Sequence, residues 1–121
     1  MKRKYSLKRN EEIAKIVHQR RFVKNNCFVI YYQNNLMNQM RVCISVSKKL
    51  GIAVIRNKCK RQVREMVDQI FDFNLNKDYV IVVKNEFLNN DFITNKNKLM
   101  ELNLKIISKN KENVIDEKKC N

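Results

Sequence analysis

The spacing of apolar positions changes several times along the chain, and each change marks an element. Ile13, Ile16 and Val17 share one side of a short helix that runs to about Gln19. Asn10 is placed to cap it, with Glu11 and Glu12 in the first turn. Cys27 to Tyr32 is rich in aromatic and β-branched residues and predicts a strand. Asn34-Asn35 and the polar residues after them predict a turn. From Arg41 to Ser47 the pattern alternates, with Val42, Ile44 and Val46 on one side and Cys43 and Ser45 on the other, as in a half-buried strand. Ser47 to Ile52 is a basic loop turning on Gly51, the one glycine of the chain, which takes φ > 0 without strain. A helix follows from Ala53 or Arg56 to Phe71, its face set by Cys59, Val63, Met66 and Ile70 in steps of four, three and four. Asp78 to Lys84 is almost continuously apolar and predicts an interior strand. Asn95 to Ser108 carries Leu99, Leu102 and Ile106 at helical spacing. From Lys109 on the sequence is polar, so the pattern predicts a single domain over 1–109 and a disordered tail over 110–121.

Charge adds what periodicity lacks. The formal net charge is +14, and it is segregated: residues 1–65 hold 17 Lys or Arg against three acids, whereas residues 66–121 hold nine of each sign. A chain that is merely lysine-rich would spread its charge evenly. The excess in the first half points to a polyanionic partner, nucleic acid first. An anionic membrane surface would need bulky apolar anchors beside the charges on an amphipathic helix. No run approaches the roughly 20 apolar residues of a membrane span, and no apolar stretch follows the charged start Met1-Lys2-Arg3-Lys4, so a cytoplasmic protein is expected. Cys27, Cys43, Cys59 and Cys120 lie far apart, with His18 the lone histidine. That spacing does not suit zinc. The first three read as small core residues and Cys120 as a free thiol without a role.

The densest basic cluster is Arg56-Asn57-Lys58-Cys59-Lys60-Arg61-Gln62-Val63-Arg64. On a helix, Asn57, Lys60, Arg61 and Arg64 stand at i, i+3, i+4 and i+7, one stripe turned away from the Cys59–Val63–Met66 face. Stacked like charges repel by a few tenths of a kcal/mol per pair. A simply solvated face would interleave acids, yet the first acid after Arg56 is Glu65. The stripe suits several phosphates at once, gripped by arginine forks and lysine point charges.

These residues carry a resemblance. Ser45-Val46-Ser47-Lys48-Lys49-Leu50-Gly51, then Ala53-Val54, then Arg56-Asn57-x-x-Lys60-Arg61-x-x-Arg64-Glu65 resembles the bacterial ribonuclease P protein component and its Arg-Asn-Arg signature. Leu7-Lys8-Arg9-Asn10-Glu11, Phe28-Val29-Ile30-Tyr31 and Asp78-Tyr79-Val80-Ile81-Val82 extend the likeness over about residues 4 to 107. The resemblance implies an α/β (α+β) two-layer sandwich in order α-β-β-β-α-β-α, a ribosomal-protein-like fold. Its four-stranded sheet would hold a left-handed β-α-β crossover, against the usual hand. Periodicity shows only three strands, so the region before Arg41 must be divided further.

The resemblance also implies a role: a subunit of ribonuclease P, the endoribonuclease that removes the 5′ leader of precursor tRNA. The chemistry would belong to the catalytic RNA, with magnesium at the RNA active site, no cofactor on the protein, and one protein monomer per RNA. Lys48, Lys49, Arg56, Asn57, Lys58, Lys60, Arg61 and Arg64 would face the catalytic RNA. Ile13, Val17, Phe28, Tyr31 and Ser45 would line a cleft for the single-stranded leader, held by stacking and charge with little base readout. Three positions depart from the family pattern. Ile13 and Val17 stand where aromatics are common, which weakens stacking there or shifts it to Tyr31 and Phe28. Lys58 replaces an arginine, losing a bidentate fork, and Ile52 replaces an asparagine, removing a helix cap.

Nothing in the sequence patterns a catalytic site within the chain. His18 has no carboxylate patterned near it. Asp68, Asp72 and Asp78 do not place two carboxylates on one face beside the basic stripe, as two-metal phosphoryl chemistry would need. A ribosomal RNA-binding protein shares the charge logic and is the main alternative; a self-sufficient nuclease is the weaker one.

Overall fold

One strand more than periodicity shows completes the sheet. In the computed structural model, residues 3–120 are described, with side chains for 4–109; the expected disordered tail, 110–121, and Cys120 with it, lies outside the residues described in full. The elements are α1 (Asn10–His18), β1 (Phe22–Lys24), β2 (Phe28–Asn34), β3 (Arg41–Val46), α2 (Ala53–Ile70), β4 (Lys77–Val83) and α3 (Phe92–Cys120). Short 3-10 turns occupy Lys48–Leu50 and Asn85–Asn89. The sheet order is β1-β2-β4-β3. β2 is antiparallel to both β1 and β4, and β3 is parallel to β4, so α2 is the crossover of a β-α-β unit. The observed architecture is a mixed α+β sheet with three helices in the order α-β-β-β-α-β-α.

Strand alternation sorts the two faces. Phe28, Ile30 and Tyr32 of β2, Val42 and Val46 of β3, and Tyr79, Ile81 and Val83 of β4 point into one core. Cys59, Val63, Met66 and Val67 of α2 and Leu99, Leu102 and Ile106 of α3 close it from above. Edge-on ring pairs lock it, Phe28 with Phe87 at 5.6 Å and Phe71 with Tyr79 at 5.2 Å. The opposite face carries a smaller cluster, in which Leu7 and Ile16 meet Val80, with Ile13, Val17, Tyr31, Cys43 and Val82 around them. α1 therefore covers only part of that face. Cys27 and Cys59 are buried in the main core as expected, and Cys43 is half-buried in the smaller cluster.

Two local expectations are corrected. Asn10 does not cap α1: Arg9 holds the cap position without a side-chain bond, and Asn10 is the first helical residue. Glu11 and Glu12 remain in the first turn, where the helix dipole favours them. β1 is the strand that periodicity misses, since three residues with one buried position give no alternation to read. Asn25 makes the hairpin behind it, its Oδ1 accepting from the Cys27 and Phe28 N–H groups at 2.9 and 3.0 Å. The turn expected after Asn34 is present, with the Asn35 Oδ1 accepting from Met37 N–H and its Nδ2 donating to the Gln39 carbonyl.

Candidate RNA-binding surface

α2 presents the basic stripe as a helix face must once its other face is committed to the core. With Cys59, Val63, Met66 and Val67 buried, the 3.6-residue period turns Asn57, Arg61 and Arg64 out to solvent and leaves Lys60 at the margin, half-buried. Among the described residues none of Lys58, Lys60, Arg61 and Arg64 forms an ion pair; the pairs there are Arg41 with Glu12 and with Asp78, and Lys105 with Glu101. Arg56 is half-buried, and its Nε is enclosed without a protein partner. Ile52 holds the cap position before α2, extended at φ −70° and ψ 168° with no side-chain cap, as the replacement of asparagine there implies.

The basic loop is anchored. Ser47 Oγ accepts from the Lys49 N–H at 3.2 Å, Gly51 N–H donates to the Lys48 carbonyl at 3.3 Å, and Leu50 is buried in the core. Gly51 sits at φ +143°, and a Cβ there would lie 3.2 Å from Ile55 Cδ1. The conformation favours glycine, and the space beside it is tight. Lys48 and Lys49 are thus held out to solvent at the carboxyl end of β3, just before the basic helix face.

The second predicted group divides. Ile13, Val17 and Tyr31 come together, half-buried, where α1 lies on the sheet. Ser45 is exposed on the same face, paired in register with Val82. Phe28 does not belong with them. It alternates to the other side of β2, is completely buried and packs on Phe87, so no ligand in the α1 groove reaches it. Sequence reasoning missed Phe22, whose ring lies 5.5 Å from that of Tyr31 and inclined at 51°; its signal was hidden with the unrecognised strand β1. The two surfaces meet across the edge strand β3, whose Val42 and Val46 face the core under α2 while Cys43 faces the α1 groove; burial pushes the Cys43 thiol up, and the charge of Lys60 opposes it. Of the acidic and histidine candidates, His18 is exposed on α1, Asp72 lies exposed past the end of α2, and Asp78 is buried. Among the described residues, no three His, Cys, Asp or Glu side chains come together to hold a metal ion.

A further polar cluster, not anticipated as a unit, supports the groove. Arg41 forks onto Asp78 at 2.9 and 2.8 Å and reaches Glu12 of α1 at 2.9 Å. Asn35 and Gln33 donate to the same carboxylate at 2.8 and 3.2 Å. Burial alone would raise the Asp78 pKa, but the hydrogen bonds from Arg41, Asn35 and Gln33 outweigh it and hold the carboxyl below its ordinary range. This network ties α1 to β3 and β4 and so sets the groove between helix and sheet.

Comparison with known proteins follows the same geometry. The family model described as Ribonuclease P matches residues 1–107. A ribonuclease P protein component of Mesoplasma florum is 43% identical over 104 residues, covering 84% of this chain and 94% of the relative. That of Mycoplasma mobile is 33% identical over 114 residues, covering 94% and 99%. Among solved structures, the Staphylococcus aureus RNase P protein superposes with a TM-score of 0.74 at 35% identity, over 85% of this chain and 94% of that one. The Thermotoga maritima RNase P protein gives 0.70 at 30% identity, over 80% and 93%. Among the described residues no helix is long and apolar enough to cross a membrane.

Proposed function

The chain belongs to the ribonuclease P protein component family, and on that premise we propose that it seats its α2 stripe and the Lys48–Leu50 turn on the catalytic RNA of the holoenzyme. The observation that carries this reading is the row of Lys60, Arg61 and Arg64 on one ordered helix face, none of them in an ion pair among the described residues. Each such cation can neutralise a phosphate and release a counterion, which is where most RNA-backbone affinity arises. Lys48, Lys49, Arg56 and Lys58 extend the surface around the start of the helix, and Asn57 adds a polar contact.

The groove between α1 and the sheet suits the single-stranded 5′ leader of precursor tRNA. Ile13, Val17 and Tyr31 offer apolar and aromatic surface, and Ser45 a hydroxyl. Such a groove holds a strand by stacking and charge and reads little sequence. Magnesium would be held by the RNA and would activate the water and stabilise the leaving oxygen there. The protein residues bind and orient the two RNAs, one protein monomer per catalytic RNA.

The test is reconstitution. Purified protein added to the catalytic RNA and precursor tRNA at low magnesium is expected to stimulate 5′ cleavage. Failure to stimulate would contradict the subunit role and favour an RNA-binding protein of another assembly. Cleavage by the protein without the RNA would contradict the division of labour.

A further inference from the structure

Phe22 stands directly opposite Tyr31 in the β1–β2 register, on the face of the sheet that α1 leaves partly open. It is 38% exposed, while its neighbour Val23 turns into the main core. A phenyl ring this exposed on an edge strand is costly to hydrate, and Tyr31 meets it at a tilt, not face to face. Lys24 follows two residues on and therefore on the same face, about 7 Å along the strand. The groove wall contributed by α1 is aliphatic, Ile13 and Val17. The aromatic surface available to a base in this groove is thus on the sheet, at Phe22 and Tyr31.

We propose that Phe22 is a leader-binding residue, forming with Tyr31 the platform on which a leader base stacks, with Lys24 beside it for the adjoining phosphate. The inference rests on the leader-groove reading above and adds a second aromatic and a direction, outward over the β1 edge. An aromatic face accepts any base, so the platform favours unpaired nucleotides without selecting their sequence.

The chain contains no tryptophan, so Phe22→Trp places a single reporter on the platform. In the reconstituted holoenzyme, its emission is expected to be quenched by precursor tRNA carrying a leader. Mature tRNA, or a precursor with abasic leader positions, should leave it unchanged. Phe22→Ala should weaken affinity for leader-bearing precursor roughly fivefold or more, the loss of about one stacked base, with mature tRNA unaffected and Phe22→Tyr restoring the difference. Should Phe22→Ala not fold, Phe22→Leu decides, since it keeps apolar bulk without a π-face and should show the same selective loss. Equal losses on both tRNAs, or none, overturn the proposal. Tyr31→Ala, measured alongside, separates the two levels. A leader-selective loss there with none at Phe22 removes Phe22 alone, while no selectivity at either removes the leader groove itself.

Discussion

Asp78 has a side chain 1% exposed and yet remains a carboxylate, because every direction around it supplies a donor. Burial penalises its charge, and the Arg41 fork with Asn35 and Gln33 more than compensates, so its folded pKa lies below the ordinary value. The sign of the linkage follows. Stability from this group is fully present above about pH 4, its unfolded range, and is lost as pH falls through the lower folded pKa. Thermal melting of the wild type should therefore be flat with respect to this group from pH 7 to about 5 and fall in more acidic buffer. Asp78→Asn should flatten that acid limb and lower stability at pH 7 by roughly 3 kcal/mol, the scale for stripping a partner from a buried ion pair. A variant that melts like the wild type at pH 7 would show that the network does not hold α1 on the sheet. Little of this was legible beforehand, because Glu12, Asn35, Arg41 and Asp78 are distant in sequence and no local pattern announces their convergence.

Among the elements, α2 was the most legible and its start the least secure. Its apolar steps from Cys59 to Met66 select one helix face, and that choice alone aims Arg61 and Arg64 outward. Its first turn lacks a side-chain acceptor, with Ile52 at the cap 68% exposed and spent on no core contact. Ile52→Asn should supply the missing acceptor to the free N–H groups of the first turn and stabilise the fold by about 1 kcal/mol. Chemical denaturation reads this directly, and an unchanged or lowered midpoint would mean that the turn is satisfied in another way. The opposite case is β1. Its three residues are too few for alternation to register, and with it went Phe22, whose relation to Tyr31 exists only through cross-strand pairing. Phe28 failed for a related reason: adjacent apolar residues in a strand look alike in sequence, and only the register shows that Phe28 and Tyr31 leave the sheet on opposite sides.

At the scale of the molecule, the charge segregation seen along the chain becomes a division of surfaces. The parallel pairing of β3 and β4 with α2 between them puts the Lys48–Leu50 turn and the α2 stripe in succession at one end of the sheet. α1 and the open sheet face adjoin them at the β3 edge. Sheet order and the partition of its faces were not readable from periodicity, since strand neighbours depend on long-range contacts; the family resemblance implied the element order and a fourth strand, and the strand order and the two faces are seen in the structure. The polarity of the surface, by contrast, was written in the count of Lys and Arg before residue 65. The central claim is that this face is held to RNA through phosphate contacts made by α2. The most direct measurement is the salt dependence of binding to the catalytic RNA for the wild type and for Arg61→Ala/Arg64→Ala. The slope of log K against log salt should shrink by about two counterions in the double variant. Parallel lines with an undiminished slope would contradict the claim.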